Sequence, residues 1–199
     1  MKVKLENIAL QIEQGLLQLQ DVITSLETGE SQTWAFPIGE GEYPPNRWYA
    51  ASRHTPDGPG YRHVGLDLNL DVSPWGDIER ILGLSVFALA DGVVTYYTSN
   101  WSGVPMIVIM HEHKGKPLWV RYAHITPIVK LGDTIKVGQR LGGFANWTGA
   151  DGGDHLHLDM ATSAYTREWI GNAPFIDPVP ILNEHLDPDI VYMMLTRGM

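Results

Sequence analysis

Two histidines one residue apart stand out in the stretch GGDHLHLDM, residues 152–160, which begins with glycines. In an extended strand successive side chains point to opposite faces, so His155 and His157 share one face while Leu156 and Leu158 share the other. An isolated pair of this kind is more often a solvated pair on an exposed strand than a reactive site. Its meaning therefore depends on the other histidines of the chain.

A second stretch, RHVGLDLN, places His63 four residues before Asp67 at the start of a predicted strand. Positions four apart on a regular strand face the same way, so the imidazole and the carboxylate could converge on one ion. With His157 they supply two nitrogens and one carboxylate oxygen, a ligand set typical of a catalytic zinc that keeps its fourth position for water. A third histidine-bearing strand, RYAHI, adds His124 near the same face.

Five ordered motifs of the chain resemble those of the lysostaphin-type, LytM-like zinc metalloendopeptidases, which cut peptide bonds in bacterial peptidoglycan. The motifs are YRHVGLDL, VFALADGVV, RYAHI, VKLGDTIKVGQRLGG and GGDHLHLDM, and they fall within residues 37 to 182. The resemblance implies that His63, Asp67 and His157 are the zinc ligands. It also implies that His124 and His155 are the catalytic pair beside the metal-bound water, and it leaves open which of them is the general base.

The chain departs from the family pattern in two places. Asp154 stands where the family commonly has proline, and its carboxylate could act on the reaction rate through His155 or simply face solvent. The segment between Asp67 and the next strand, residues 68–83, looks longer than the usual connection and could form a wall of the substrate groove.

Several other candidates have simpler interpretations. The HEH stretch, residues 111–113, lacks the spacing of the helical H-E-x-x-H motif, so we predict a solvated strand end, with secondary metal binding as the alternative. His54 is expected at the surface, and His185 is expected to be structural. A Ser-His-Asp mechanism is set aside because no serine lies in a G-x-S-x-G turn. Trp101 and Trp147 lie in predicted loops and could contact a glycan or peptide.

Composition limits the range of functions. A chain of 199 residues has room for one domain with a good core, and the 21 glycines and 13 prolines favour a turn-rich β protein. The formal net charge is −9 and the basic residues are scattered, which argues against nucleic acid or an anionic membrane as a partner. The absence of cysteine excludes disulfides, thiolate ligands and a cysteine nucleophile.

Apolar spacing predicts the elements that position these residues. A three-and-four pattern over residues 4 to 27 predicts an amphipathic helix, which could dock onto its own domain or form a homodimer. We therefore divide the chain into an N-terminal helix, 1–30, and a metallopeptidase domain with a C-terminal tail, 31–199. Short apolar runs broken by turn signals predict hairpin strands, and a last short helix is expected around Asp189 to Leu195. The fold class is mainly β, and the resemblance implies an antiparallel barrel-sandwich of the duplicated hybrid motif.

The expected function is that of a zinc-dependent endopeptidase acting on peptidoglycan peptides, in the stem or the cross-bridge. The alternative is a non-catalytic module of the same fold that binds the cell wall or activates another hydrolase. A degenerate relative would be expected to lose ligands, whereas here all five implied positions are filled. The N-terminus does not read as a secretory signal and no run reaches about 18 apolar residues, so we expect secretion by another route, release by lysis or association with a phage.

Overall fold

A computed structural model describes residues 33–41, 43–52, 63–70, 82–101, 103–146, 154–164 and 174–197. The predicted N-terminal helix, His54, Trp147 and most of the 68–83 segment lie outside the described residues. The predictions made for them stay predictions.

Antiparallel strands make up most of the described structure. They are β1 (Trp48–Ser52), β2 (Gly65–Leu70), β3 (Ser85–Phe87), β4 (Gly92–Trp101), β5 (Val104–His113), β6 (Lys116–Ala123), β7 (Ile125–Pro127), β8 (Thr134–Ile135), β9 (Arg140–Phe144), β10 (Leu156–Ala161) and β11 (Phe175–Ile176). The larger sheet has the order β1-β2-β10-β6-β5-β4-β8, with β11 paired to β10, and the smaller sheet has the order β3-β9-β7. The mainly β, antiparallel prediction is confirmed. The expected barrel is not confirmed, because the end strands β1 and β8 do not pair with each other in the described part of the chain.

Alternating side chains divide the larger sheet into two faces. One face packs into the main hydrophobic core, which also receives residues of the smaller sheet and the C-terminal helices. Residues of that face include Leu66, Leu68, Ile107, Ile109, Val120, Tyr122, Leu156 and Leu158. The opposite face carries a small apolar cluster built on Met106, Val108 and Ala123. By the same alternation Asp67 and His157 lie on that opposite face, so the candidate site is on the side of the sheet away from the main core.

Two helices end the described chain, α1 (Pro178–His185) and α2 (Pro188–Thr196). Each begins with an Asp-Pro pair. The carboxylates of Asp177 and Asp187 accept a backbone N–H in the first turn, and proline is tolerated there because its missing N–H would have no partner within the helix. The helix expected around residues 189–195 is confirmed as α2, whereas α1 was not predicted. No helix in the described ranges is long and apolar enough to cross a membrane.

Candidate metal centre

Strand register brings three separate motifs together on one face of the larger sheet. In the β2–β10 pair Asp67 lies opposite His157, and in the β10–β6 pair His157 lies opposite Ala123, the residue before His124. Gly65 has to be small because a Cβ there would lie 2.4 Å from the carbonyl oxygen of Leu158. Glycine therefore allows β2 to approach β10 closely beside the candidate ligands.

His63, Asp67 and His157 form a compact triangle of potential ligand atoms. The Oδ1 atom of Asp67 lies 3.1 Å from Nε2 of His63 and 2.8 Å from Nδ1 of His157. The two histidine nitrogens lie 3.2 Å apart. In a tetrahedral zinc site, with bonds of about 2.0–2.1 Å, ligand atoms lie roughly 3.3 Å apart, so the triangle is slightly smaller than a zinc site and would need only a small expansion to hold the ion.

The protonation of His157 also points to a cation between these atoms. Its Nε2 lies 2.9 Å from Oδ2 of Asp159, and that carboxylate, which is paired with Arg121, can only accept a hydrogen bond. The Nε2–H therefore donates to Asp159, and in the neutral ring Nδ1 is left as a lone pair facing the carboxylate of Asp67. Two electron-rich atoms 2.8 Å apart repel each other unless a positive charge lies between them. A proton could lie between only two of the three potential ligand atoms, whereas a metal ion could be bound by all three.

The electrostatics of Asp67 fit a metal-binding carboxylate. Burial acts to raise the pKa of Asp67, but the interactions with three surrounding histidines outweigh it and hold the pKa well below its usual range. The three are His155, His157 and His63. Asp67 is thus ionised at neutral pH, and its side chain keeps 18% exposure beside nearly buried imidazoles, so water can reach the triangle from this side.

His124 and His155 lie next to this triangle. Their rings meet edge to face with centroids 4.6 Å apart, and Nε2 of His155 lies 3.4 Å from Oδ1 of Asp67. His124 adopts φ +62°, a left-handed conformation that is uncommon for a residue other than glycine and is concentrated at functional sites. Burial and the neighbouring histidines lower the pKa of His124 to about 3, so its ring is neutral at pH 7.

Trp101 was predicted in a loop, but it is the last residue of β4 and lies at one side of the site. Its ring lies 5.3 Å from that of His124 and 5.5 Å from that of His157, and the guanidinium of Arg121 lies 4.4 Å from its centroid. The prediction that Trp101 could contact a substrate stays open, and its position beside both histidines is consistent with it. Asp154 is 1% exposed, so the alternative that its carboxylate faces solvent is wrong.

Sequence reasoning missed Asp159 and Arg121. They lie directly opposite each other on β10 and β6, are both buried, and form an ion pair. The signal for Asp159 was present, since it follows His157 by two residues on an alternating strand and therefore shares its face. Arg121 could be found only from the register of the two strands.

We predict that Asp159→Asn weakens zinc binding about 10–100-fold, the usual effect of losing a group that orients a ligating histidine. The asparagine can no longer offer a full carboxylate to Nε2–H of His157. Zinc affinity should be measured by chelator competition on folded protein, because the variant also leaves Arg121 buried without its counter-charge and will be less stable. Unchanged affinity in a folded variant would contradict the orienting role.

The HEH stretch differs from its prediction. His111 is 2% exposed rather than solvated; its Nδ1 lies 2.9 Å from the carbonyl oxygen of Asp91 and its Nε2 lies 3.0 Å from the hydroxyl of Tyr122. Burial lowers the pKa of His111 to about 4, so the ring is neutral and serves to join β5 to β6. His113 is partly buried and lies beside His185.

Comparison with known proteins agrees with this geometry. Residues 76–168 match peptidase family M23. Over this range, a little under half of the chain, the sequence is similar to that family. The matched range includes His124, His155 and His157, and it begins after His63 and Asp67. No curated protein matches the chain in sequence.

Solved structures show the same fold. The solution structure of lysostaphin is 24% identical, with a TM-score of 0.52, and the match covers 71% of this chain and 52% of lysostaphin. The catalytic domain of lysostaphin from Staphylococcus simulans is 23% identical, with a TM-score of 0.51, and the match covers 70% of this chain and 95% of the domain. LytU is 22% identical, with a TM-score of 0.52, and the match covers 76% of this chain and 94% of LytU. The chain thus spans about half of the full lysostaphin chain and nearly all of its catalytic domain.

Proposed function

We propose that the chain is a zinc-dependent endopeptidase that hydrolyses peptide bonds of bacterial peptidoglycan, in the stem peptide or the cross-bridge. The observation that carries the proposal is the triangle of His63, Asp67 and His157, whose potential ligand atoms lie 2.8–3.2 Å apart. The match to a peptidase family over residues 76–168 and the lysostaphin-like fold support the reaction class and the substrate.

A bound zinc ion would supply Lewis acidity to a scissile carbonyl and would make a water molecule acidic enough to act as a nucleophile near neutral pH. The chain's own residues then have separate tasks. His63, Asp67 and His157 would hold the ion, and the carboxylate of Asp159 would keep the Nδ1 lone pair of His157 directed at it.

His124 and His155 would handle the protons of the reaction. Hydrolysis of a peptide bond requires a base to take a proton from the attacking water and an acid to return one to the leaving amine. His124 is neutral at pH 7, and its ring lies 4.6 Å from that of His155, so the two imidazoles would act in the same region. Either ring can also stabilise the oxyanion that develops on the carbonyl oxygen.

The proposal is tested by incubating the protein with purified peptidoglycan and identifying the products by mass spectrometry. We expect peptide fragments with new amino termini, and the fragment masses will show which bond is cut. Intact peptidoglycan that nevertheless sediments with the protein would contradict the enzyme and favour the wall-binding module of the same fold. His157→Ala serves as the control, since it should give no cleavage.

To act on peptidoglycan, the protein would have to reach the cell wall. We propose secretion, release by lysis or association with a phage as the routes. The partners of the chain would then be peptidoglycan peptides, without nucleic acid or membrane.

For the N-terminal segment we predict a structural or assembling rather than a catalytic role, because its apolar stripe over residues 4 to 27 carries no metal-binding or catalytic residue type. Deleting residues 1–30 should leave zinc content and cleavage unchanged while lowering stability or shifting a dimer towards monomer. Sedimentation, zinc analysis and a cleavage assay on the truncated chain check this. Loss of zinc from a truncated chain that is still folded would show that the segment supports the active site.

A further inference from the structure

A second group of potential ligands lies outside the catalytic site: His113, Glu184 and His185. His113 is the last residue of β5, and the other two end α1. His113 shares a strand face with His111 and Ile109, the face that packs into the main core. The catalytic site lies on the opposite face, beside Met106, which is seven residues from His113 and so roughly 24 Å away along the strand. The two sites are therefore independent.

The two imidazoles of this group are held against each other. Nδ1 of His113 lies 3.0 Å from Nε2 of His185. The buried ring of Trp34 stacks on His185 with a centroid distance of 4.5 Å and an angle of 9°, and it meets His113 edge-on. Burial lowers the pKa of both His113 and His185, so both rings are in the neutral form that binds metal ions.

Glu184 supplies the third ligand atom. Its Oε2 lies 3.7 Å from Nε2 of His113, and one potential ligand atom from each of the three residues lies within 4.8 Å of the others. The Glu184 side chain is 43% exposed and pairs with Nζ of Lys114 at 2.8 Å, a solvent-exposed ion pair of little strength. Because this carboxylate is exposed and weakly paired, it can move towards the two rings until its oxygen reaches the spacing of roughly 3.3 Å between ligands of a tetrahedral site.

We propose that His113, Glu184 and His185 bind a second divalent transition-metal ion that fastens α1 to the end of β5. Two imidazoles and one carboxylate suit zinc, copper or nickel rather than calcium or magnesium, which prefer oxygen ligands alone. The turn that carries His113 is well defined, since Lys114 and Gly115 both have positive φ, at 52° and 72°, as in a two-residue hairpin turn. The site thus joins a rigid hairpin to the helix, and its role is structural.

The test counts zinc ions per chain by equilibrium dialysis and elemental analysis. Wild-type protein is expected to bind two, His185→Phe one, His157→Ala one, and the double variant His157→Ala/His185→Phe none. Phenylalanine keeps a ring stacked on Trp34, so His185→Phe should stay folded and should cleave peptidoglycan as the wild type does. If it does not fold, His113→Gln makes the same measurement at a partly exposed position.

Two further measurements distinguish a specific metal site from non-specific binding by surface histidines. Lys114→Gln removes the cation that competes for Glu184, so zinc should bind more tightly at this site, and Glu184→Gln should weaken it. In the His157→Ala background zinc should raise the melting temperature, and this rise should vanish when His185→Phe is added.

The proposal is overturned if wild type and His185→Phe bind the same number of zinc ions, or if zinc does not stabilise His157→Ala. Failure of the proposed catalytic zinc gives a different pattern. His157→Ala would then bind as many ions as the wild type, while His185→Phe would still lose one.

Discussion

Alanine at His63, Asp67 or His157 is expected to remove one equivalent of zinc per chain and to abolish cleavage of peptidoglycan. Each substitution deletes one corner of a triangle whose edges are 3.1, 3.2 and 2.8 Å, and two remaining ligands cannot hold the ion at the affinity of three. The measurement is the zinc content of dialysed protein together with the rate of fragment release.

Asp67→Asn is the matched conservative variant, because it keeps the volume and one oxygen of the side chain but removes its charge. It should lose zinc more readily than the wild type, since the oxygen of a neutral amide attracts the ion much less strongly than the ionised carboxylate of Asp67 does. Variants that keep wild-type zinc content and affinity would show that the triangle does not hold the metal.

Alanine at His124 or His155 is expected to have the opposite pattern, with zinc and fold retained and the cleavage rate lowered about 10²–10⁴-fold, the usual contribution of proton transfer. Neither ring is part of the triangle, although both lie beside it. Rates at saturating zinc, zinc content and circular dichroism should be measured on the same preparations.

His113→Ala is the control for this pair, because it removes an imidazole from the far end of the same sheet and should not change the cleavage rate. Full cleavage by both His124→Ala and His155→Ala would contradict the catalytic roles. A loss of zinc in either variant would instead indicate that the substituted histidine is a zinc ligand.

The candidate site was largely predictable from sequence because strand alternation alone fixes which side chains share a face. The spacings of four and two put His63 beside Asp67 and His155 beside His157, although His63 and His155 lie just before the strands that carry their partners. His124 was predicted on a strand, whereas it follows β6 with a left-handed backbone, φ +62°, and its catalytic role was taken from the family resemblance.

What the sequence did not reveal depends on contacts between strands. The ion pair of Arg121 with Asp159 needs the β6–β10 register, which no local pattern encodes. His111 was expected at a solvated strand end, yet it is buried and the hydroxyl of Tyr122 on the neighbouring strand lies 3.0 Å from its Nε2. Helix α1 was missed because two of its first three residues are proline, which belongs in a first helical turn but reads as a loop.

The most direct test of the account is a zinc titration of metal-free protein acting on purified peptidoglycan, followed by the release of primary amines. We expect no amines from the metal-free protein, release that rises with added zinc, and none from His157→Ala at the same zinc concentration. Amine release by metal-free protein, or release of reducing sugar ends in place of amines, would contradict a zinc endopeptidase centred on His63, Asp67 and His157.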